Sequence, residues 1–257
     1  MKGGATGSGF ILALLLVSQS GCEEEKVTPK LAPFVEQKVE EPASAAPAPQ
    51  SPPHLTVTES GPAVRGMSVM LTQPNGKADP LGRAKLHNYL TEEKTFLEGQ
   101  MLKLVVDRMA KPEWVAIFLS ELSKFSPSKI TIATDTRSDF PKEVEFVPQE
   151  LVSKPAPCTL VGTITEDRGS AIWKISGGTA RKRGRGMGGP DLSMTADTIL
   201  SMKKGCDSQL FFVTAAPGVE WGLVYDLAAS GIALEKADLK QAVVPIQTAT
   251  AGRALEL

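Results

Sequence analysis

"SQLFFVTAAPGVEWGLVYDLAASGI" (Ser208–Ile232) echoes "QMLKLVVDRMAKPEWVAIFLSELSKF" (Gln100–Phe125), about a hundred residues earlier in the chain. Each stretch has a short apolar run, a polar turn, a Glu-Trp pair, and then apolar residues at helical spacing. In the first, Leu102-Lys-Leu-Val-Val reads as a strand and Lys111-Pro112 opens a helix, with Pro where its missing N–H costs least. Trp114, Ile117, Phe118 and Leu122 then fall on one helical face, Pro127 ends the helix, and Lys129 to Thr134 alternates like a strand. The second stretch repeats the order: Leu210-Phe-Phe-Val as strand, Pro217-Gly218 as turn, and Trp221, Val224, Tyr225 and Ala228 as the buried stripe. Gly231 is expected to cap that helix, and Ile232 to Leu239 to return as a strand. Glu113-Trp114 and Glu220-Trp221 are expected to share one position in the first helical turn, each Trp in the core and each Glu at the positive end of the helix dipole.

Upstream, Arg83 to Leu97 and Asp191 to Lys203 read as helices, the second with Asp191 as N-cap after Pro190. Ala171 to Ser176 reads as a strand. The spacing predicts an α/β (α+β) chain of two tandem β-α-β-containing modules, each a small sheet with helices packed on it. The first covers residues 64–150 and the second 151–257, divided near the Pro-rich stretch Lys154 to Pro157.

The order AIWKISGG, DLSMTADTILSMKK, LFFV, EWGLVYDLAASGI resembles the periplasmic domain of the ExbD/TolR family. That family has a strand ending in Gly, a Leu-rich helix, a strand closing on Ala-Asp, and a helix that opens on an aromatic residue and ends in Ala-Gly-Ile. The first module matches over Leu104 to Thr134, where Val106-Asp107 keeps the strand-end Asp; in the second, Thr214 stands in its place. Family members carry a transmembrane helix with an aspartate that takes part in proton-driven motor function. The N-terminal apolar stretch here has no acidic residue, so motor chemistry does not carry over. Because the family's periplasmic domains work as dimers, the resemblance implies that two copies in one chain form an internal pseudo-dimer.

Phe10 to Val17 is a run of eight apolar residues after Lys2, far short of the ~20 needed to span a bilayer. Residues 1–21 read as an export signal. Ser20-Gly21-Cys22 resembles the lipobox of bacterial lipoproteins, in which the cysteine is lipidated and becomes the new first residue, though Gln19 stands where that motif has an apolar residue. Ser18-x-Ser20 also suits ordinary signal peptidase, so lipidation, simple secretion and an uncleaved anchor all stand open. Residues 22–63, rich in Pro, Glu, Ala and Ser, read as a disordered tether, with a Pro-rich docking peptide as the alternative. Of the three cysteines, lipidation would use Cys22 and leave Cys158 and Cys206, either as a disulfide or as two buried thiols.

The chemical signals are sparse. Gly184-Arg-Gly-Met-Gly-Gly189 spells GxGxxG, but Thr-Ala-Arg-Lys-Arg precedes it where a dinucleotide site needs an apolar strand, and Pro190 intrudes at the helix start. No cofactor is expected. Arg181, Lys182, Arg183 and Arg185 read either as a flexible basic loop or as anion contacts beside the helix at Asp191. Of two histidines, His54 lies in the tether and His87 reads as a surface or boundary residue. No His, Cys or carboxylate cluster has metal-ligand spacing. Asp135, Asp139, Glu166 and Asp167 read as solvated turn residues. A net charge of -1 predicts no global attraction to nucleic acid. The expectation is a non-enzymatic lipoprotein held on the membrane by Cys22, facing the periplasm, and binding an envelope partner, either a transport motor component or peptidoglycan. The rival readings are a passive lipoprotein of unrelated α/β fold and an envelope hydrolase.

Overall fold

The computed structural model describes residues 51–73 and 78–257. The signal, the lipidation site Cys22 and the tether as far as Gln50 lie outside the described residues. The last part of the expected tether is strand instead: β1 (Leu55–Thr58) and β2 (Gly61–Val64) form a hairpin. The alternation Leu-Thr-Val-Thr is strand-like, with Leu55 and Val57 buried. Gly61 sits at φ 126°, where an added Cβ would lie 2.3 Å from the Val69 carbonyl oxygen, so only glycine fits the turn.

From the hairpin the chain continues through β3 (Met67–Ser68), α1 (Pro80–Glu92), the single turn α2 (Lys94–Leu97), β4 (Met101–Val106), α3 (Pro112–Ser123), β5 (Lys129–Ala133) and β6 (Glu143–Glu145). Asp79 caps α1 by accepting from the Leu81 N–H, and Pro112 opens α3. The sheet order is β3-β2-β1-β4-β5-β6, with β1, β4 and β5 parallel. The second half holds β7 (Leu160–Ile164), β8 (Ser170–Lys174), β9 (Arg181–Arg183), α4 (Leu192–Lys203), β10 (Leu210–Ala215), α5 (Trp221–Ile232) and β11 (Gln241–Val243). Its order is β11-β10-β7-β8-β9, with β7, β10 and β11 parallel. Two modules of one topology result: a hairpin and a third strand, a helix, a strand parallel to the first, a second helix, and a further parallel strand.

Pairing registers align the copies residue by residue. Met101 faces Lys129 as Leu210 faces Gln241, and Val57 faces Val106 as Ile164 faces Ala215. Met101 therefore corresponds to Leu210 and Asp107 to Ala216, so the counterpart of the strand-end Asp107 is Ala216, not Thr214. β4 ends at Val106 with α3 beginning at Pro112, and β10 ends at Ala215 with α5 beginning at Trp221, the same six positions on. Trp114 then corresponds to Leu223. The two Glu-Trp pairs do not share one position; they differ by two residues, about 200° around a helix.

Two other expectations change. Gly231 lies inside α5, not at its cap, and a Cβ there would come 2.8 Å from the Phe211 ring. Gly162 on β7 clears the same ring, again at 2.8 Å, so these glycines make room for Phe211 under the helix. The stretch Ile232 to Leu239 ends α5 and makes a 3-10 turn at Glu235–Ala237; the returning strand is β11.

One core runs between the helices and both sheets, and the sheets meet edge to edge where Phe146 bridges Ala242 and the Val147 N–H donates to the Ala242 carbonyl at 2.9 Å. The opposite face of the second sheet carries a smaller core of Val161, Trp173, Ile175, Phe212 and Val243 under the C-terminal segment. Trp173 Nε1 donates to the Arg253 carbonyl at 2.9 Å, and the Leu255 N–H to the Ile175 carbonyl at 3.0 Å, which fixes that segment as a strap.

Candidate functional site

The seam between the modules is held by backbone and side-chain hydrogen bonds from both halves. Glu220 makes no side-chain cap, so the free N–H groups opening α5 need other acceptors. They find them in the first module: Trp221 donates to the Ala110 carbonyl and Gly222 to that of Arg108, each at 2.8 Å. Arg108 then lies across α5 and donates to both oxygens of the buried Asp226 at 3.1 and 2.9 Å, and to the Asp135 carbonyl at 2.7 Å. Asp226 also accepts from Thr136 Oγ1 at 2.5 Å. Hydrogen bonding to Asp226 raises the Arg108 pKa further. A Cβ on Gly222 would sit 2.8 Å from the guanidinium carbon, so glycine is what lets Arg108 cross the helix.

Trp221 belongs to this seam as well. Its indole N–H donates to Thr134 Oγ1 at 2.8 Å, and its ring lies 5.6 Å from Phe146 and 6.3 Å from Tyr225. Burial raises the Tyr225 phenol well above its ordinary range, and its hydroxyl donates to the Pro141 carbonyl at 3.1 Å. Trp114 does something different: it is core of the first module, with the Lys111 ammonium 4.7 Å over its ring.

A groove of about 720 Å³ lies over the clamp, between Arg108, Phe140, Leu223, Leu234 and the turn Gly186–Pro190. This is where the GxGxxG stretch sits. The Gly186 N–H donates to the Gly189 carbonyl at 2.7 Å, and a Cβ on Gly189 would come 2.8 Å from Leu223. These glycines make a tight turn against α5. Asp191 accepts from the Met194 N–H at 3.1 Å, and hydrogen bonds from Ser193 and Met194 hold its carboxyl below the usual range. A carboxylate thus occupies the helix terminus that would otherwise receive a phosphate.

The four cations expected as one loop or patch are divided by strand alternation, since Arg181 to Arg183 is β9. Arg181 donates to Ser201 Oγ at 3.0 Å and Arg183 to Thr198 Oγ1 at 2.8 Å, both on α4. Lys182 lines a cleft on the other face of the sheet, and Arg185 bridges Pro190 beyond the strand end. Cys158 and Cys206 are bonded, with Cα atoms 5.8 Å apart, and tie the entries of the neighbouring strands β7 and β10.

The sequence reading missed Glu121, whose side chain is 1% exposed. Arg83 Nε lies 2.6 Å, Lys124 Nζ 2.5 Å and His87 Nδ1 3.1 Å from its oxygens. Burial pushes the carboxyl up, but the bonds from Lys124 and Arg83 outweigh it and hold it below the usual range. His87, half-exposed, is one of the three side chains that meet Glu121 between α1 and α3. Arg83 and His87 stand four apart on α1, and Glu121 stands on α3 three residues before its C-cap Lys124, but nothing in the sequence brings the two helices together. Asp139 pairs with Arg137, and Asp167 accepts from Thr165 and from the Gly169 N–H. Among the described residues no group of three His, Cys, Asp or Glu is placed to hold a metal, and no helix is long and apolar enough to cross a membrane. No protein-family model, no curated protein and no solved structure matches the chain.

Proposed function

We propose that this chain is a non-catalytic binding protein of the bacterial envelope, in which two ExbD/TolR-like modules act as an internal pseudo-dimer. The observation that carries the reading is the repeated topology, with registers that align and a seam locked by Arg108 and Asp226. The strand and helix order of each module is the order on which the resemblance rests. Cys22 is the lipid anchor, residues 23–50 span the distance from the membrane, and the paired modules contact a transport motor component or peptidoglycan.

Labelled palmitate is expected to enter the full chain but not the Cys22→Ser variant; equal labelling of both rejects the anchor. Crosslinking in intact envelopes, followed by purification through the full chain, is expected to recover a motor component or peptidoglycan fragments. Recovery of neither at levels above a chain with the modules deleted rejects the binding role.

A further inference from the structure

The second sheet changes direction between β7 and β10. From β7 the chain runs outward through β8 and β9, then crosses by α4 to β10 on the other side of β7. In open sheets the crevice beyond the carboxyl ends of two such parallel strands is where ligands bind, because the connections diverge and leave it uncovered. A cleft of about 500 Å³ lies there, between Thr163 and Thr165, Lys182 of β9, Pro217 after β10, and Thr248 of the strap. A second cleft of about 280 Å³ shares Ala216, Pro217 and Thr248 with it and extends to Glu113 at the start of α3.

The chemistry of these walls is specific in kind. Thr163 is buried, and its hydroxyl makes only a 3.4 Å contact to the Ile164 carbonyl, leaving most of its hydrogen-bonding capacity for the cleft. Arg181 and Arg183 of β9 both donate to α4, but Arg183 also lines this cleft, so Lys182 is the β9 cation there that makes no hydrogen bond to α4. Glu166 and Asp167, both exposed, line the same end; Asp167 accepts from Thr165 and from the Gly169 N–H, and those bonds, with a smaller part from Lys182, hold its carboxyl below the usual range. At the far end Glu113 supplies an anion on the first turn of α3. Lys182 and Arg183 at one end, hydroxyls along the floor and Glu113 at the other suit a ligand with a carboxylate, intervening amides and an ammonium.

We infer that the two clefts together bind a short zwitterionic peptide, its carboxylate on Lys182, its amides over Thr163 and Thr248, and its ammonium toward Glu113. The site draws on both modules and goes beyond the partner reading above, which does not require it.

The test is calorimetric titration of the full chain with trialanine, triserine and trileucine. At least one is expected to bind saturably in the range up to about 1 mM, the weak end of specific affinities. Amidating the peptide carboxylate, or Lys182→Gln, is expected to weaken binding at least tenfold, as is acetylating the amine or Glu113→Gln. Lys204→Gln, on a surface turn away from the clefts, serves as control and is expected to leave binding unchanged, and urea midpoints check that each variant folds. No saturable heat with any of the three, or binding indifferent to amidation and to Lys182→Gln, overturns the assignment. A partner captured in envelopes while all three peptides fail would reject this site and leave the binding role intact.

Discussion

Replacing Arg108 by alanine removes the clamp and leaves the Asp226 carboxylate behind. The side chain of Asp226 is 6% exposed and its carboxylate accepts three side-chain bonds, two of them from Arg108. Breaking a buried pair on one side typically costs about 3 to 5 kcal/mol, because the remaining charge is neither solvated nor matched. The Arg108 side chain is 34% exposed, so water screens part of the interaction and the lower figure, about 3 kcal/mol, is the better expectation. Some of that cost reflects the stranded carboxylate, which a double-mutant cycle separates. Asp226→Ala also costs stability, but the double variant is expected to cost less than the sum by at least about 1.5 kcal/mol. The assay is urea unfolding of the full chain followed by tryptophan fluorescence, with Trp221 reporting directly on the seam. A cost below about 1 kcal/mol for Arg108→Ala, or additive single costs, would refute the claim that this pair locks the modules together.

Reducing the Cys158–Cys206 bond is expected to lower stability by up to about 4 kcal/mol, the chain-entropy figure for a separation of 48 residues, read as a shift in urea midpoint with reductant. Glu121 has a lowered pKa, so its contribution is complete above the ordinary carboxylate range, near pH ~4.3, and is lost as pH falls through the folded value. Urea midpoints measured against pH should therefore fall less steeply on the acid side in Glu121→Gln than in the parent. Gly162→Ala is expected to cost about 1 to 3 kcal/mol by overpacking Phe211, and clearly less in a Phe211→Leu background; equal costs in both would count against the ring as the cause. Phe212→Lys should cost more than about 4 kcal/mol, whereas Lys103→Phe at the corresponding exposed site should change stability by about 0.5 kcal/mol or less.

The strands and helices were legible because apolar periodicity reports which faces are buried, and Pro112, Asp191 and Pro217 punctuate them where backbone chemistry demands. What was not legible depended on neighbours distant in sequence. Gly231 looks like a cap because it ends an apolar helix, yet its role is to clear a ring on β10. The alternation Leu55-Thr-Val-Thr was hidden by the Pro-rich run before it. The Glu-Trp echo is real as a string but misaligned as structure, because strand register, not residue identity, sets equivalence. Glu121 reads as an ordinary surface carboxylate on an amphipathic helix until α1 packs across it. Of the candidate site, the cysteine pair was legible only as one of two alternatives, a disulfide or two thiols, whereas the seam needed a contact between Arg108 and Asp226 across more than a hundred residues.

The registers also explain how one topology serves two purposes. Val161, Trp173, Phe212 and Val243 form the small core under the strap, and their counterparts in the first module are His54, Arg65, Lys103 and Thr131. Lys103 pairs with Glu143, and Arg65 with the largely buried Glu93, so that face carries ion pairs where the second module carries an apolar core. The difference is written in the strands: β4 alternates buried and exposed, whereas β10 is buried along nearly its whole length. A continuous apolar run requires cover on both faces, and the strap supplies the second. Because the strap runs past the carboxyl ends of β7 and β10, the same covering that completes the second module also walls the cleft beside Lys182. Among the described residues only the second module has such a wall, so the proposed peptide site takes its Lys182 end from that copy and its Glu113 end from the other.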